Sequence, residues 1–186
     1  MIDGRKQFFT SQFKTIDHLE NCADLSMSSI YFILLKCMNI NNVDCDHVAS
    51  HLGKSEMIVR IIRNLLRPNT QSVYYLPLDL LLKHKISQQD FINFSQRTLK
   101  SKHQNIKDLT FELATRAYQH LNSARDLSDK VPKHIKPIFV SAIVNDVFLS
   151  KLEKYDFDLM NPKLNSDFRV LIIYKLIMIS KLKKKY

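Results

Sequence analysis

The chain has 186 residues, a formal net charge of +10, and 45% apolar against 25% charged residues, a balance that excludes a disordered chain. It holds only two glycines, Gly4 and Gly53, too few for a hairpin-rich sheet, a P-loop or a dinucleotide-binding fingerprint. An all-α helical bundle is predicted, with residues 1–186 read as one domain.

The first clear periodicity spans Ile16 to Cys37. Ile16, Leu19, Ala23, Met27, Ile30, Leu34 and Cys37 recur at steps of three and four, which predicts one amphipathic helix. Asn39 to Val43 reads as a turn. Asp46 is the expected N-cap of the next helix, whose inner stripe is Val48, Leu52, Ile58, Ile62 and Leu65. Gly53 inside that stripe costs about 1 kcal/mol relative to alanine, so close approach by another helix is the expected reason for it. Pro68 ends the helix. Val73 to Pro77 reads as extended, Leu78 to His84 as a short helix, and Ser87 as the cap of a helix running to about Phe94.

Residues 97–107 carry four Lys or Arg and no acid, and are expected to form an exposed basic connection. A long helix from about Lys107 to Ser128 comes next, with the stripe Leu109, Leu113, Ala117, Leu121, Ala124 and Leu127. Pro132 and Pro137 frame the turn into another helix, and Asp156 to Asn161 breaks it. A last helix is expected from about Asp167 to Lys181. Its apolar body, Val170 to Ile179, precedes Lys183-Lys184-Lys185.

The charge is uneven. Residues 1–93 carry 10 Lys or Arg against 9 Asp or Glu, and residues 94–186 carry 18 against 9. Such a surplus suits an anionic partner or simply a basic surface. No aromatic-interleaved basic motif of the nucleic-acid-binding sort occurs, so no nucleic acid is expected. No run of about 18 apolar residues exists, and the first residues lack the apolar core of a signal peptide. Cys22, Cys37 and Cys45 have no metal-ligand spacing and read as three buried thiols.

Two side-chain groupings stand out. His47 and His51, four apart with Asp44 and Asp46 nearby, form either a polar helix face or half of a metal site. Arg60, Arg63 and Arg67 share one stripe, either as a solvated face or as a grip on a phosphate or carboxylate. The C-terminal Lys181, Lys183, Lys184 and Lys185 belong to a core helix with a basic tail, or to an interfacial element resting on anionic headgroups. No catalytic residue, cofactor site or metal site is assigned.

The string Asp46-His47-Val48-Ala49-Ser50-His51-Leu52-Gly53-Lys54 is followed by Val59-Arg60-Ile61-Ile62-Arg63 and by Tyr75-Leu76-Pro77-Leu78-Asp79. Together these resemble the squalene/phytoene synthase family, and within it a branch of mitochondrial complex I assembly factors. The likeness continues through Val131-Pro132, Phe139 and Tyr155-Asp156-Phe157-Asp158. It implies an all-α isoprenoid-synthase-like bundle, here the C-terminal two-thirds of the family fold and incomplete at the N-terminus.

Catalytic members of the family hold magnesium and a prenyl diphosphate with two DxxxD motifs. Counted back from Pro77, the second motif falls on Asn64 and Pro68, and the first would precede the chain. No DxxxD spacing occurs in this sequence. The resemblance therefore implies a non-catalytic assembly factor. It would bind a complex I subunit or assembly intermediate peripherally at the matrix face of the mitochondrial inner membrane. The alternatives are a prenyl-diphosphate condensing transferase and an isoprenoid- or lipid-binding module.

Overall fold

In the computed structural model, which describes residues 12–66, 74–95 and 102–165, the steps of three and four become helices, and no strand occurs among the described residues. The first helical rod starts at Thr15, whose hydroxyl accepts from His18 N at 3.1 Å. It runs as α1 (Ile16–Ala23), a π-helical segment (Asp24–Ser28) and α2 (Ser29–Cys37). A π-helical turn adds a residue to the helical repeat, and here it shifts the buried stripe by one position. Leu19 and Ala23 are buried as expected; beyond them Ser28, Tyr31 and Leu35 are buried in place of Met27, Ile30 and Leu34. The outer face of α2 consequently exposes Ile30, Ile33, Leu34 and Met38.

Serine hydroxyls accompany the irregular segment. Ser26 Oγ donates to Cys22 O at 2.6 Å, and Ser29 Oγ donates to Ser26 O at 3.0 Å. Such back-bonding gives the carbonyls a partner where the regular ladder loosens.

Helix α3 (Val43–Leu65) is capped by Asn42, whose Oδ1 accepts from Cys45 N at 3.1 Å. The cap is thus four residues earlier than Asp46, which joins Asp44 in the first turn, beside the positive end of the helix dipole. The expected stripe of α3 is buried throughout, and Ala49, Ser55, Met57, Val59 and Ile61 are buried beside it. A helix covered on several faces is a central one. Its largest contact is with α6 (His103–Asp126), and it also packs on the π-helical segment and on α7 (Ser141–Lys154). Pro68 lies outside the described residues.

Between α3 and α6 come two short helices, α4 (Leu78–Lys83) and α5 (Gln88–Ser95). The start of α4 is strapped to the start of α1. Leu78 N donates to Phe13 O at 2.9 Å, and Ile16 N donates to Asp79 Oδ2 at 3.2 Å. Ser87 caps α5 as expected: its hydroxyl accepts from Asp90 N at 3.0 Å, while Asp90 Oδ2 accepts from Ser87 N at 2.8 Å.

Helix α6 begins at His103, so residues 103–107 of the expected basic connection are its first turn. Their side chains find local partners: His103 with Asp158 at 2.9 Å, and Lys107 with Asp156. Leu109, Leu113, Ala117, Leu121 and Ala124 are buried as the stripe requires. After α7 the chain turns through Asp156 and Phe157, both at positive φ. The expected last helix lies outside the described residues.

Gly53 faces Ser28 at the crossing of α3 with the π-helical segment. A methyl group on Gly53 would stand 2.6 Å from Ser28 N and 2.9 Å from Ser28 Cα, and closer still to its hydroxyl. Backbone cannot move aside as a flexible side chain would. Gly53→Ala is expected to destabilise the protein by about 1–3 kcal/mol, read as a lower midpoint in urea denaturation. Adding Ser28→Ala should not restore it, because the clash with Ser28 N and Cα remains.

Candidate functional site

Arg60, Arg63 and Asn64 project from the outer side of α3, while Ile58, Val59, Ile61 and Ile62 of the same turns are buried. Opposite them stands the first half of α7. Between the two helices opens a cleft of about 380 Å³ lined by Glu56, Arg60, Arg63, Asn64, Ser141 and Asn145, with Val59 and Val144 as its apolar walls.

The cleft is electrostatically lopsided. Its only lining carboxylate among the described residues, Glu56, accepts from Tyr31 Oη at 2.7 Å, and the same hydroxyl lies 2.5 Å from Ser141 Oγ. One tyrosine thereby ties α2, α3 and α7 together. Burial, and then the charge of Glu56, push the Tyr31 phenol far above its ordinary pKa. It stays protonated and donating.

Glu56 precedes Arg60 by one helical turn, the spacing of a favourable ion pair. It turns to Tyr31 instead, and neither Arg60 nor Arg63 pairs with a carboxylate among the described residues. The Arg63 guanidinium lies over the Phe148 ring, 5.9 Å from its centroid, within cation–π reach. On the α7 side, Asn145 is 3% exposed and its Nδ2 has no hydrogen-bond partner among the described residues. Two guanidinium groups and neutral amides are donors, so this cleft suits an anion.

A second polar cluster is closed. Glu20, buried on α1, receives Arg116 through its Nε and its Nη2, the latter at 3.1 Å. His120 Nε2 is 3.1 Å from Glu20 Oε1. Burial opposes ionisation of Glu20, but the neighbouring His120 and the hydrogen-bonded Arg116 prevail and hold its pKa down to about 2. On its far side, His120 Nδ1 meets His51 Nδ1 at 3.1 Å, a contact that requires one imidazole to be neutral at the shared nitrogen. Burial, and then the neighbouring His120, Lys54 and His47, lower the His51 pKa.

The structure therefore pairs His51 with His120 across two helices and leaves His47 exposed. Among the described residues, no three His, Cys, Asp or Glu side chains converge as a metal's ligands would. Arg60 and Arg63 share the cleft, whereas Arg67, Lys181, Lys183, Lys184 and Lys185 lie outside the described residues. Cys22 and Cys45 are buried, and burial raises their thiol pKa values; Cys37, expected to be buried, is exposed. The sequence reading missed Tyr31, Glu56, Ser141, Asn145, Glu20 and His120. A partial signal existed for the last two: Glu20 adjoins the apolar Leu19, and Arg116 and His120 are four apart on one helix. No described helix is long and apolar enough to cross a membrane.

The chain has relatives among known proteins. The family profile described as squalene/phytoene synthase matches residues 1–172. The chain is 32% identical over 165 residues to the Bos taurus protein named NADH dehydrogenase (ubiquinone) complex I, assembly factor 6, covering 88% of this chain and 48% of that one. The Homo sapiens protein of the same name is 30% identical over 175 residues, 94% of this chain and 51% of its own length. A Drosophila melanogaster homolog is 32% identical over 157 residues, 84% and 46% respectively. The chain thus spans about half the length of these curated relatives. No solved structure matches it.

The closed cluster carries a pH signature. His51 binds its proton less readily folded than unfolded, so its contribution to stability is whole above the ordinary histidine pKa of 6.5 and falls below it. Glu20 contributes fully above 4.5 and loses its contribution as the pH falls towards 2. Unfolding free energy measured from pH 7.5 to 4 is expected to fall from about pH 6.5 downward. His51→Gln should flatten the upper part of that slope. Glu20→Gln should cost about 2 kcal/mol or more at pH 7, because it strips Arg116 and His120 of their shared carboxylate.

Proposed function

The chain belongs to the squalene/phytoene synthase family, and on that footing we propose that it is a non-catalytic assembly factor for mitochondrial respiratory complex I. It acts by binding, at the matrix face of the inner membrane. The relatives named as complex I assembly factors support the assembly role. The donor set of the α3–α7 cleft carries the non-catalytic part.

Catalysis of the family's kind needs magnesium, a hard cation that takes several oxygen ligands, usually carboxylates. In our reading of the motif register, Asn64 stands where the first aspartate of the second motif belongs. It offers a neutral amide. The single carboxylate lining the cleft among the described residues is committed to Tyr31, and two guanidinium groups line the same cleft. Magnesium does not fit this donor set. The rival reading, a prenyl-diphosphate condensing enzyme, asks for ligands that the cleft does not present.

Binding would use the surfaces that the fold leaves open. Ile30, Ile33, Leu34 and Met38 form an exposed apolar face on α2 suited to a protein partner. Arg60 and Arg63 supply positive charge in the cleft. The membrane contact falls to the C-terminal Lys181, Lys183, Lys184 and Lys185, which come after the apolar run Val170 to Ile179. Each lysine near an anionic surface contributes about 1 kcal/mol.

Two measurements test this. In cells deleted for the gene, assembled complex I on native gels should be lost and restored by the wild-type gene; normal complex I in the deleted cells would refute the role. In flotation with cardiolipin-containing liposomes, the protein should rise with the vesicles. Replacing the four lysines by glutamine should weaken binding at least tenfold, and an unchanged profile would remove the tail from the membrane contact.

A further inference from the structure

The α3–α7 cleft has a charge that specifies its occupant more narrowly than "an anion". Arg60 and Arg63 bring two positive charges and Glu56 one negative, and no other charged residue lines the cleft among the described residues. The net single positive charge balances one monoanionic group. A diphosphate carries more negative charge than that, and without a bridging cation it would stand against the Glu56 carboxylate. A side-chain carboxylate is a monoanion, and its two oxygens match the fork of a guanidinium.

The two arginines are held differently. The Arg63 guanidinium lies over the Phe148 ring, 5.9 Å from its centroid, and Arg60 stands one helical turn after Glu56 on α3. The two lie three residues apart on α3, the spacing at which side chains on one helix face are neighbours. Tyr31 keeps Glu56 from neutralising Arg60 internally. Asn145 closes the α7 side with an amide whose Nδ2 has no hydrogen-bond partner among the described residues. Val59 and Val144 add apolar walls, which suit the methylenes of a glutamate or aspartate more than a fully polar ion.

We propose that this cleft docks a carboxylate of an acidic segment on the partner protein, an Asp or Glu side chain received between Arg60 and Arg63 over Asn145. The inference rests on the protein-binding reading above and names the chemistry of the partner that this cleft recognises. Glu56 and Tyr31 act as positioning residues: their bond keeps the cleft's own carboxylate off the arginines.

The test starts from the full chain in which Lys181, Lys183, Lys184 and Lys185 are glutamine, so that the basic tail does not compete. Isothermal titration with an end-capped hexaglutamate peptide should show binding, at least tenfold weaker after Arg60→Gln and Arg63→Gln together. Circular dichroism should confirm that this exposed double substitution leaves the fold intact. In NMR titration the Asn145 side-chain amide signals should shift with peptide. Inorganic pyrophosphate, added with a chelator and then with magnesium, should bind no more tightly than the peptide. Equal peptide affinity in the double variant, or an unmoved Asn145 amide, overturns the proposal. Tighter pyrophosphate binding overturns it as well, and returns the cleft to phosphate chemistry.

The cellular arm separates this from the broader reading. If the wild-type gene restores complex I in deleted cells and the double variant does not, the carboxylate dock is supported. If both restore it, the dock is refuted and the assembly role stands; if neither does, the assembly role itself fails and the dock with it.

Discussion

The close crossing of α3 with the π-helical segment sets the phase of α2 and, through it, the character of the cleft. Gly53 lets the backbone of Ser28 approach to a distance that no Cβ permits, and Ser28 Oγ donates across the crossing to Ser50 O at 3.3 Å. Ser50 in turn donates to Asp24 Oδ1 at 2.7 Å. The contact is therefore small in volume but doubly tied by hydroxyls. It falls inside the one segment where the first helical rod leaves the α-helical repeat, and that departure turns α2 by one residue. Tyr31 then faces inward, where its hydroxyl reaches both Glu56 and Ser141. Without the shift, the regular stripe would have put Ile30 there, and Glu56 would have had no hydroxyl to hold it away from Arg60.

The two polar clusters show opposite solutions to the same electrostatic problem. A carboxylate with little access to water must be paired or must give up its charge. Glu20 is paired twice, by Arg116 and His120, and stays ionised to low pH. That cluster is consumed by the fold: each charge in it is answered by another, and its role is to pin α1 to α6. In the α3–α7 cleft the carboxylate is answered by a neutral hydroxyl, which leaves two cations over. Charges left unanswered at a surface cost little in stability. They are the groups available to a ligand.

Much of the helical frame was legible in the sequence, because burial repeats with the helix. The stripes of α3 and α6, the Ser87 cap and the break at Asp156 are all set by local residues. The phase of α2 was not legible. A π-helical turn leaves the spacing of apolar residues looking regular, and only the hydrogen-bond ladder reveals the added residue. The cap of α3 was misplaced for a related reason: Asn42 and Asp46 are both competent, and the choice depends on where the turn after α2 delivers the chain. Arg60 and Arg63 were legible as a stripe, but their setting was not. Tyr31, Glu56, Ser141 and Asn145 are brought together from three helices, the first and last separated by more than a hundred residues, and no local pattern encodes such a meeting.

Helix α3 also explains how a family fold can persist while the chemistry of its cleft changes. Successive residues of its last turns serve different ends. Ile58, Val59, Ile61, Ile62 and Leu65 are buried and hold the core, whereas Arg60, Arg63 and Asn64 stand exposed towards the cleft. Substitution on the exposed side removes little packing, and surface changes of this kind typically alter stability by no more than about half a kcal/mol. The buried side is answerable to the fold and the exposed side to the ligand, so the two can be altered separately. A scaffold divided in this way is free to change the ligand chemistry of a cleft while the buried side of the same helix keeps the fold.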